Sequence, residues 1–197
     1  MIVKRGGNPH VAYPRTDTDT KNEFSLLQAY AQFKHKFTDN IELYAGAYGQ
    51  YLDFNNTWTI EPRTGFNWHI NDKNSFKMGY GLHSQMQQRL IYFTQTQLTN
   101  GDIVYTNKNL DFSKSHQFVL GYDYLFTENL RLKIETYYQY LYDIPVKENL
   151  PQYSALNYGA EYFIDRIDSL VNEGTGRNYG IEFTLERFLY KDFYFLI

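Results

Sequence analysis

The stretch Trp58-Thr-Ile-Glu-Pro-Arg-Thr-Gly-Phe-Asn-Trp-His-Ile70 decides the fold. Its even positions hold Trp58, Ile60, Pro62, Thr64, Phe66, Trp68 and Ile70. Its odd positions hold Thr59, Glu61, Arg63, Gly65, Asn67 and His69, none of them apolar. A period of two puts the sets on opposite faces of an extended strand, where a helix would mix them. Asn71-Asp-Lys-Asn74 follows with turn chemistry. The alternation then resumes, Phe76, Met78, Tyr80, Leu82 and Met86 facing one way and Lys77, Gly79, Gly81, His83 and Gln85 the other.

Working outward in both directions gives the same pattern. Leu27, Ala29, Ala31, Phe33 and Phe37 oppose Gln28, Tyr30, Gln32, Lys34 and Lys36. Ile41, Leu43, Ala45, Ala47 and Tyr51 oppose Glu42, Tyr44, Gly46, Tyr48 and Gln50. A third hairpin joins Phe118, Leu120, Tyr122, Tyr124 and Phe126 to Leu130, Leu132, Ile134, Tyr138, Tyr140 and Tyr142, with Arg131, Lys133 and Glu135 facing inward. Tyr179, Ile181, Phe183 and Leu185 then alternate with Gly180, Glu182, Thr184 and Glu186. Seven strands and part of an eighth result. Pro62 interrupts its strand where it cannot donate to a ladder, so a local bulge is expected there.

Connection lengths add an independent signal. They run short (residues 38–40), medium (53–57), short (71–74), long (88–112), short (127–129), long (143–175) and short (189–192). Tight turns alternating with longer loops, on strands that exceed the ~9–11 residues needed to cross a bilayer, match a membrane barrel with turns on the periplasmic side and loops outside. Aromatic residues gather at both ends of the apolar faces, as interfacial girdles do. The expected fold is all-β, an antiparallel meander forming a partial transmembrane β-barrel over residues 23–197. Residues 1–22 are expected to be a loop or incomplete strand.

Composition agrees. The chain has 20 Tyr, 15 Phe and 2 Trp among 197 residues, and 43% hydrophobic residues. Mean hydropathy is nevertheless −0.57, as expected of aromatics interleaved with polar residues. A net charge of −3 offers no reason for a nucleic-acid partner. With no cysteine there is no thiol chemistry or disulfide framework. The opening Met1-Ile-Val-Lys-Arg-Gly-Gly7 lacks the apolar core of a signal peptide; for a barrel strand set, an upstream N-terminus is expected.

The succession Leu26-Leu-Gln-Ala-Tyr-Ala-Gln32, Ile60-Glu-Pro-Arg63, Lys77-Met-Gly-Tyr-Gly81 and Gly176-Arg-Asn-Tyr-Gly-Ile-Glu182 resembles the C-terminal barrel of TonB-dependent outer-membrane receptors. It is most similar to members with an N-terminal carboxypeptidase-regulatory-like domain. The resemblance runs from about Glu23 to the end, and implies a cell outer-membrane location. It also implies 22 strands around a plug, about a third of which would be here, with plug and remaining strands absent. The implied function is a nutrient receptor that binds at extracellular loops and imports with energy from an inner-membrane TonB-type coupling protein. The alternatives are a passive porin or other outer-membrane barrel, and a soluble carbohydrate-binding β-domain.

No residue pattern points to an enzyme. The five histidines, at 10, 35, 69, 83 and 116, include no His-x-x-x-His pair, and no nucleophile elbow or phosphate loop occurs. No catalytic residue, metal ligand or cofactor is expected. Glu61 and Arg63 share the inward face two residues apart; with Lys77 and Glu182 they are candidates for the lumen wall that a plug contacts. They compete with a plain reading as solvated wall residues. Tyr92, Phe93, Tyr105, Tyr153 and Tyr158 in the two long loops are candidates for contact with a small ligand, or for loop–loop packing. The other expected partner is the lipid bilayer.

Overall fold

The computed structural model describes residues 16–18, 24–147, 150–158 and 167–197. The side chains of residues 16–18, 150–152 and 158 lie outside the description, as do the loop aromatics Tyr162 and Phe163. The strands are β1 (Thr16–Thr18), β2 (Leu26–Thr38), β3 (Ile41–Leu52), β4 (Thr57–Asn71), β5 (Asn74–Gln85), β6 (Thr94–Gln97), β7 (Ile103–Val104), β8 (Ser113–Thr127), β9 (Leu130–Lys147), β10 (Leu150–Ser154), β11 (Leu170–Tyr190) and β12 (Phe193–Leu196). One helical turn, α1 (Arg89–Tyr92), lies between β5 and β6.

Eight strands form one sheet in the order β12-β11-β9-β8-β5-β4-β3-β2, with β10 paired to β9 beyond that path. Every neighbouring pair is antiparallel. Long strands therefore follow one another as a meander, seven of them with the four-residue β12 as the eighth. The short strands β1, β6 and β7 make a separate sheet within the loop region. The main sheet does not close on itself; β2 and β12 are its two ends.

Period two fixes the faces. Trp58 (64% exposed) and Ile60 (58%) stand on the uncovered outer face, while Thr59 (5%) and Glu61 (1%) between them are buried on the inner one. Leu27, Phe33, Phe37, Trp68, Met78, Phe118, Leu120, Tyr138, Tyr179, Ile181 and Phe183 extend the exposed apolar face across the sheet. In water so large an apolar surface would be unstable, and it is the surface a bilayer requires.

The tight turns share one construction. Pairing ends at Thr38↔Ile41, Asn71↔Asn74, Thr127↔Leu130 and Tyr190↔Phe193, each closing a two-residue loop after a shift of register. In the first three, the residue before the loop accepts a side-chain hydrogen bond from the amide two residues on: Asn40 N to Thr38 Oγ1 (3.2 Å), Lys73 N to Asn71 Oδ1 (2.9 Å) and Asn129 N to Thr127 Oγ1 (3.3 Å). These are the local bonds by which Asn and Thr favour turns. In the fourth, Lys191 and Asp192 both take positive φ, 51° and 62°, the conformation of a two-residue hairpin turn matched to strand twist.

The bulge expected at Pro62 is absent. β3 and β4 stay in register through Ala47↔Pro62. Amide directions alternate along a strand, and His69 N donates to Asn40 O on the β3 side. By parity the nitrogen of Pro62 points toward β5, and the ladder to β5 ends one residue earlier, at Arg63↔Gly81. The missing donor thus has no ladder partner to fail. Irregularity falls instead at Pro145, where pairing of β9 with β11 shifts twice between Asn172 and Gly176 and Asp143 takes φ 55°.

Strand ends on the loop side differ from expectation. β9 continues to Lys147 and β11 begins at Leu170, so much of the 143–175 connection is sheet. At 18 and 21 residues these strands outrun what a bilayer needs and carry the sheet into the loop region.

The outer assignment has a direct check. Phe66→Arg, which puts a cation on the outer face beside Met78 and Leu43, should cost roughly 2–4 kcal/mol near the bilayer midplane. Refolding of the intact receptor into lipid, titrated with denaturant, measures that cost; an unchanged midpoint would overturn the assignment.

Candidate functional site

On the inner face Glu61 is held from three sides. Gln50 Nε2 donates to Oε1 at 2.7 Å, Ser84 Oγ to the same oxygen at 2.5 Å, and Arg63 to Oε2 at 2.9 Å. Gln28 Nε2 in turn bonds Gln50 Oε1 at 3.0 Å. The site thus spans β2 to β5, four neighbouring strands. A buried carboxylate is tolerated only when bonded in this way. Arg63 stays half exposed, its guanidinium 5.3 Å from the centre of the Tyr48 ring.

Beside it the wall is hollow. Tyr30, Tyr44, Tyr48 and Arg63 rim a groove of about 500 Å³ over Gly46 and Gly65. A Cβ on Gly46 would lie 2.9 Å from the Ala31 carbonyl oxygen, so no larger residue fits there. The groove is lined by aromatic faces and a charged donor, chemistry suited to binding polar groups from a second body.

A second set of charges lies nearer the tight turns. One register line crosses seven strands through Lys36, Glu42, Asn67, Lys77, Gly121, Glu135 and Glu182. Lys34 and Lys36 both reach Glu42 at 3.1 Å. Lys77 bonds Asp123 at 2.8 Å, and Arg131 bonds Glu186 at 2.5 Å. Lys133 pairs with Glu135. Glu182 is exposed, with no cation bonded to it among the described residues.

The structure brings Glu61 and Arg63 into contact and sets Lys77 and Glu182 on the same inner line, separated by β8 and β9. Gln50, Ser84 and Asp123 complete the wall and were not singled out from sequence. Asp123 has the inward parity of its strand, which was a usable signal. Ser84 had none, because its bond crosses the gap where β4 and β5 part.

The long loops fold into a cap with its own core of Leu52, Tyr92, Phe93, Leu110, Phe112 and Leu170. Tyr92 and Phe93 are 0% and 6% exposed, so both pack the cap rather than face a ligand. Burial also pushes the Tyr92 phenol up to about 12. Tyr105 and Tyr153 are half-buried against the same core, Tyr105 Oη accepting a 3.0 Å bond from Gln95. The side chain of Tyr158 falls outside the described residues.

Asn107, fully buried, ties the two loops together. Its Nδ2 donates to the carbonyl oxygens of Ile91 (3.1 Å) and Ile167 (2.7 Å), and its Oδ1 accepts from Leu170 N at 3.0 Å. Asp168 adds a second tie. Burial pushes its carboxyl up, but bonds from Lys147 (2.6 Å) and Thr96 (3.0 Å) outweigh that and hold it below the usual carboxylate range.

A sheet with an apolar outer face, a bonded polar inner wall, tight turns at one end and a folded loop cap at the other is the wall of an outer-membrane-type β-barrel. The chain belongs to the TonB-dependent receptor-like β-barrel family, whose model matches residues 4–196. Comparison with curated proteins gave no match. Receptors of this family are transporters of the outer membrane.

Two outcomes are expected for the cap. Asn107→Ala removes three hydrogen bonds to loop backbone groups, one of them to the buried Leu170 amide, and should destabilise it by roughly 2–4 kcal/mol. Amide exchange at residues 88–112 and 167–172 of the intact receptor would then quicken while the β2–β5 ladders keep their protection; uniform protection throughout would refute the tie. For Asp168 the folded-state pKa is lowered, so its contribution is complete above the usual carboxylate range and is lost as pH falls through the lowered value. Protection factors in the same segments, with exchange corrected for its intrinsic pH dependence, should therefore fall on acidification, and Asp168→Asn should remove that fall; an unchanged fall in that variant would refute it.

Proposed function

We propose that this chain is wall and loop cap of an energy-coupled importer. A small nutrient is captured at the extracellular loops, and the inner face docks a plug that an inner-membrane TonB-type partner displaces. The observation that carries the reading is the state of Arg63. Buried Glu61 is saturated by three donors and fixes the guanidinium beside a glycine-floored, tyrosine-rimmed groove. A donor positioned in advance loses little freedom when a second surface binds it. Lys77 and Glu182 offer that surface further polar contacts nearer the turns. The loop contacts fall to the exposed parts of Tyr105 and Tyr153, since Tyr92 and Phe93 are committed to packing.

Conductance separates this reading from a passive porin. The intact receptor in a planar bilayer should be closed to small ions, because a docked plug fills the lumen. Arg63→Ala, which removes charge-assisted bonds to the plug, should raise the frequency of ion-conducting openings about tenfold or more. A wild-type receptor that conducts steadily would favour the porin and overturn the importer.

A further inference from the structure

The outward register of β8 and β11 carries three cations, Lys114, Arg177 and Arg187, with no charge between the two arginines. Arg187 sits just before the β11–β12 turn, against the rings of Tyr190 and Phe193 at 5.9 and 5.7 Å. Arg177 lies ten residues farther along the same strand, roughly 25 Å higher on a wall tilted by about 40°. That separation is the height of an apolar barrel band. Tyr179, Ile181, Phe183 and Leu185 fill the interval. The two arginines therefore bracket the membrane core, with Arg177 at headgroup level on the loop side.

Lys114 is neutralised by Asp143 at 2.9 Å and Asp111 at 3.4 Å. Arg177 is exposed and has no carboxylate partner among the described residues; its guanidinium carbon lies 6.0 Å from the centre of the Tyr140 ring. Tyr140 continues an array of near-parallel rings: Tyr142 at 6.0 Å and 13°, then His116 at 5.2 Å and 15° from Tyr142. Tyr80 Oη and His116 Nδ1 are 3.0 Å apart, which fixes that imidazole. A shallow groove opens outward between Arg177, Tyr140, His116 and Tyr80, with Phe118 and Tyr138 forming its apolar part.

We infer that this groove binds the phosphate of an anionic membrane lipid in the loop-side leaflet. The guanidinium fork matches phosphate oxygens in geometry and charge. The tyrosines are amphipathic groups at the depth they prefer, and the Phe118 and Tyr138 faces receive the acyl chain. A cation at the edge of hydrocarbon without a counter-ion is costly, and an anionic headgroup relieves that cost where zwitterionic lipid does so less well. The inference rests on the outer face meeting lipid and is independent of import.

The test uses the intact receptor in nanodiscs of equal phosphatidylglycerol and phosphatidylcholine, released gently and weighed by native mass spectrometry. Wild type should retain phosphatidylglycerol preferentially. Arg177→Gln should reduce that preference about tenfold, as for one charge-assisted bond, and Arg177→Lys should reduce it less. Heat-modifiable migration confirms that each variant folds, and bilayer conductance should be unchanged because Arg177 is off the lumen. Equal retention of both lipids by wild type, or full preference in both variants, would overturn the inference. So would displacement of phosphatidylglycerol by inorganic phosphate at equal concentration, which would mark a soluble-anion site.

Discussion

The register of the hydrogen-bond ladders is the constraint on which everything else depends. Side chains alternate across a strand, so a slip of one residue in any pairing would carry Trp58 and Phe66 into the lumen and Glu61 and Arg63 into lipid. Seven ladders must hold this registration together. Each tight hairpin helps by closing on a two-residue loop after a local shift, so that the next strand starts on the correct face. Thr38, Asn71 and Thr127 contribute through a single side-chain bond to the following amide. Small local preferences thereby fix a surface many strands wide.

Backbone pairing also sets where the fold can relax. In hydrocarbon, unpaired amides are costly, so the ladders run uninterrupted where lipid surrounds them. Departures lie elsewhere. β4 and β5 separate above Arg63, and the opening accommodates both the donorless nitrogen of Pro62 and the bond from Ser84 to Glu61. β9 and β11 become irregular around Pro145 and Gly174, next to the cap. A Cβ at Gly174 would meet the Ile144 carbonyl oxygen at 2.7 Å, so the close approach there requires glycine.

The two faces solve different problems. The outer one carries aromatic and aliphatic groups with arginines only at its margins, because the bilayer supplies the remaining contacts. The inner one has to keep charges in a partly enclosed space, and it does so by pairing them: Glu42 with two lysines, Asp123 with Lys77, Glu186 with Arg131. Arg63, bonded on one side and open on the other, and Glu182 are the inner-face charges best placed to meet another surface. The cap is the region that resembles a soluble domain, with buried apolar residues and a fully bonded asparagine at its centre.

Alternation along 58–70 and its neighbours was sufficient to determine the seven long strands, their faces, their order as a meander and the inward position of Glu61, Arg63, Lys77 and Glu182, though not the short strands and strand extensions of the loop region. This was possible because a strand's side-chain period is local, and each tight turn lies within a few residues of the strands it joins. Contacts between residues distant in sequence were decided by tertiary structure. Gln50 meets Glu61 as its diagonal neighbour once β3 and β4 pair in this register, and Ser84 joins them where β4 and β5 part. Asn107 joins segments 60 residues apart, and no period in either loop announces it. Tyr92 and Phe93 carry the same composition as ligand-contacting aromatics, and burial in the cap, a property of the folded loops as a group, assigned them to packing. Pro62 shows the difference most simply: the sequence places a residue without a donor in mid-strand, but whether that donor is missed depends on which neighbouring strand it would have faced.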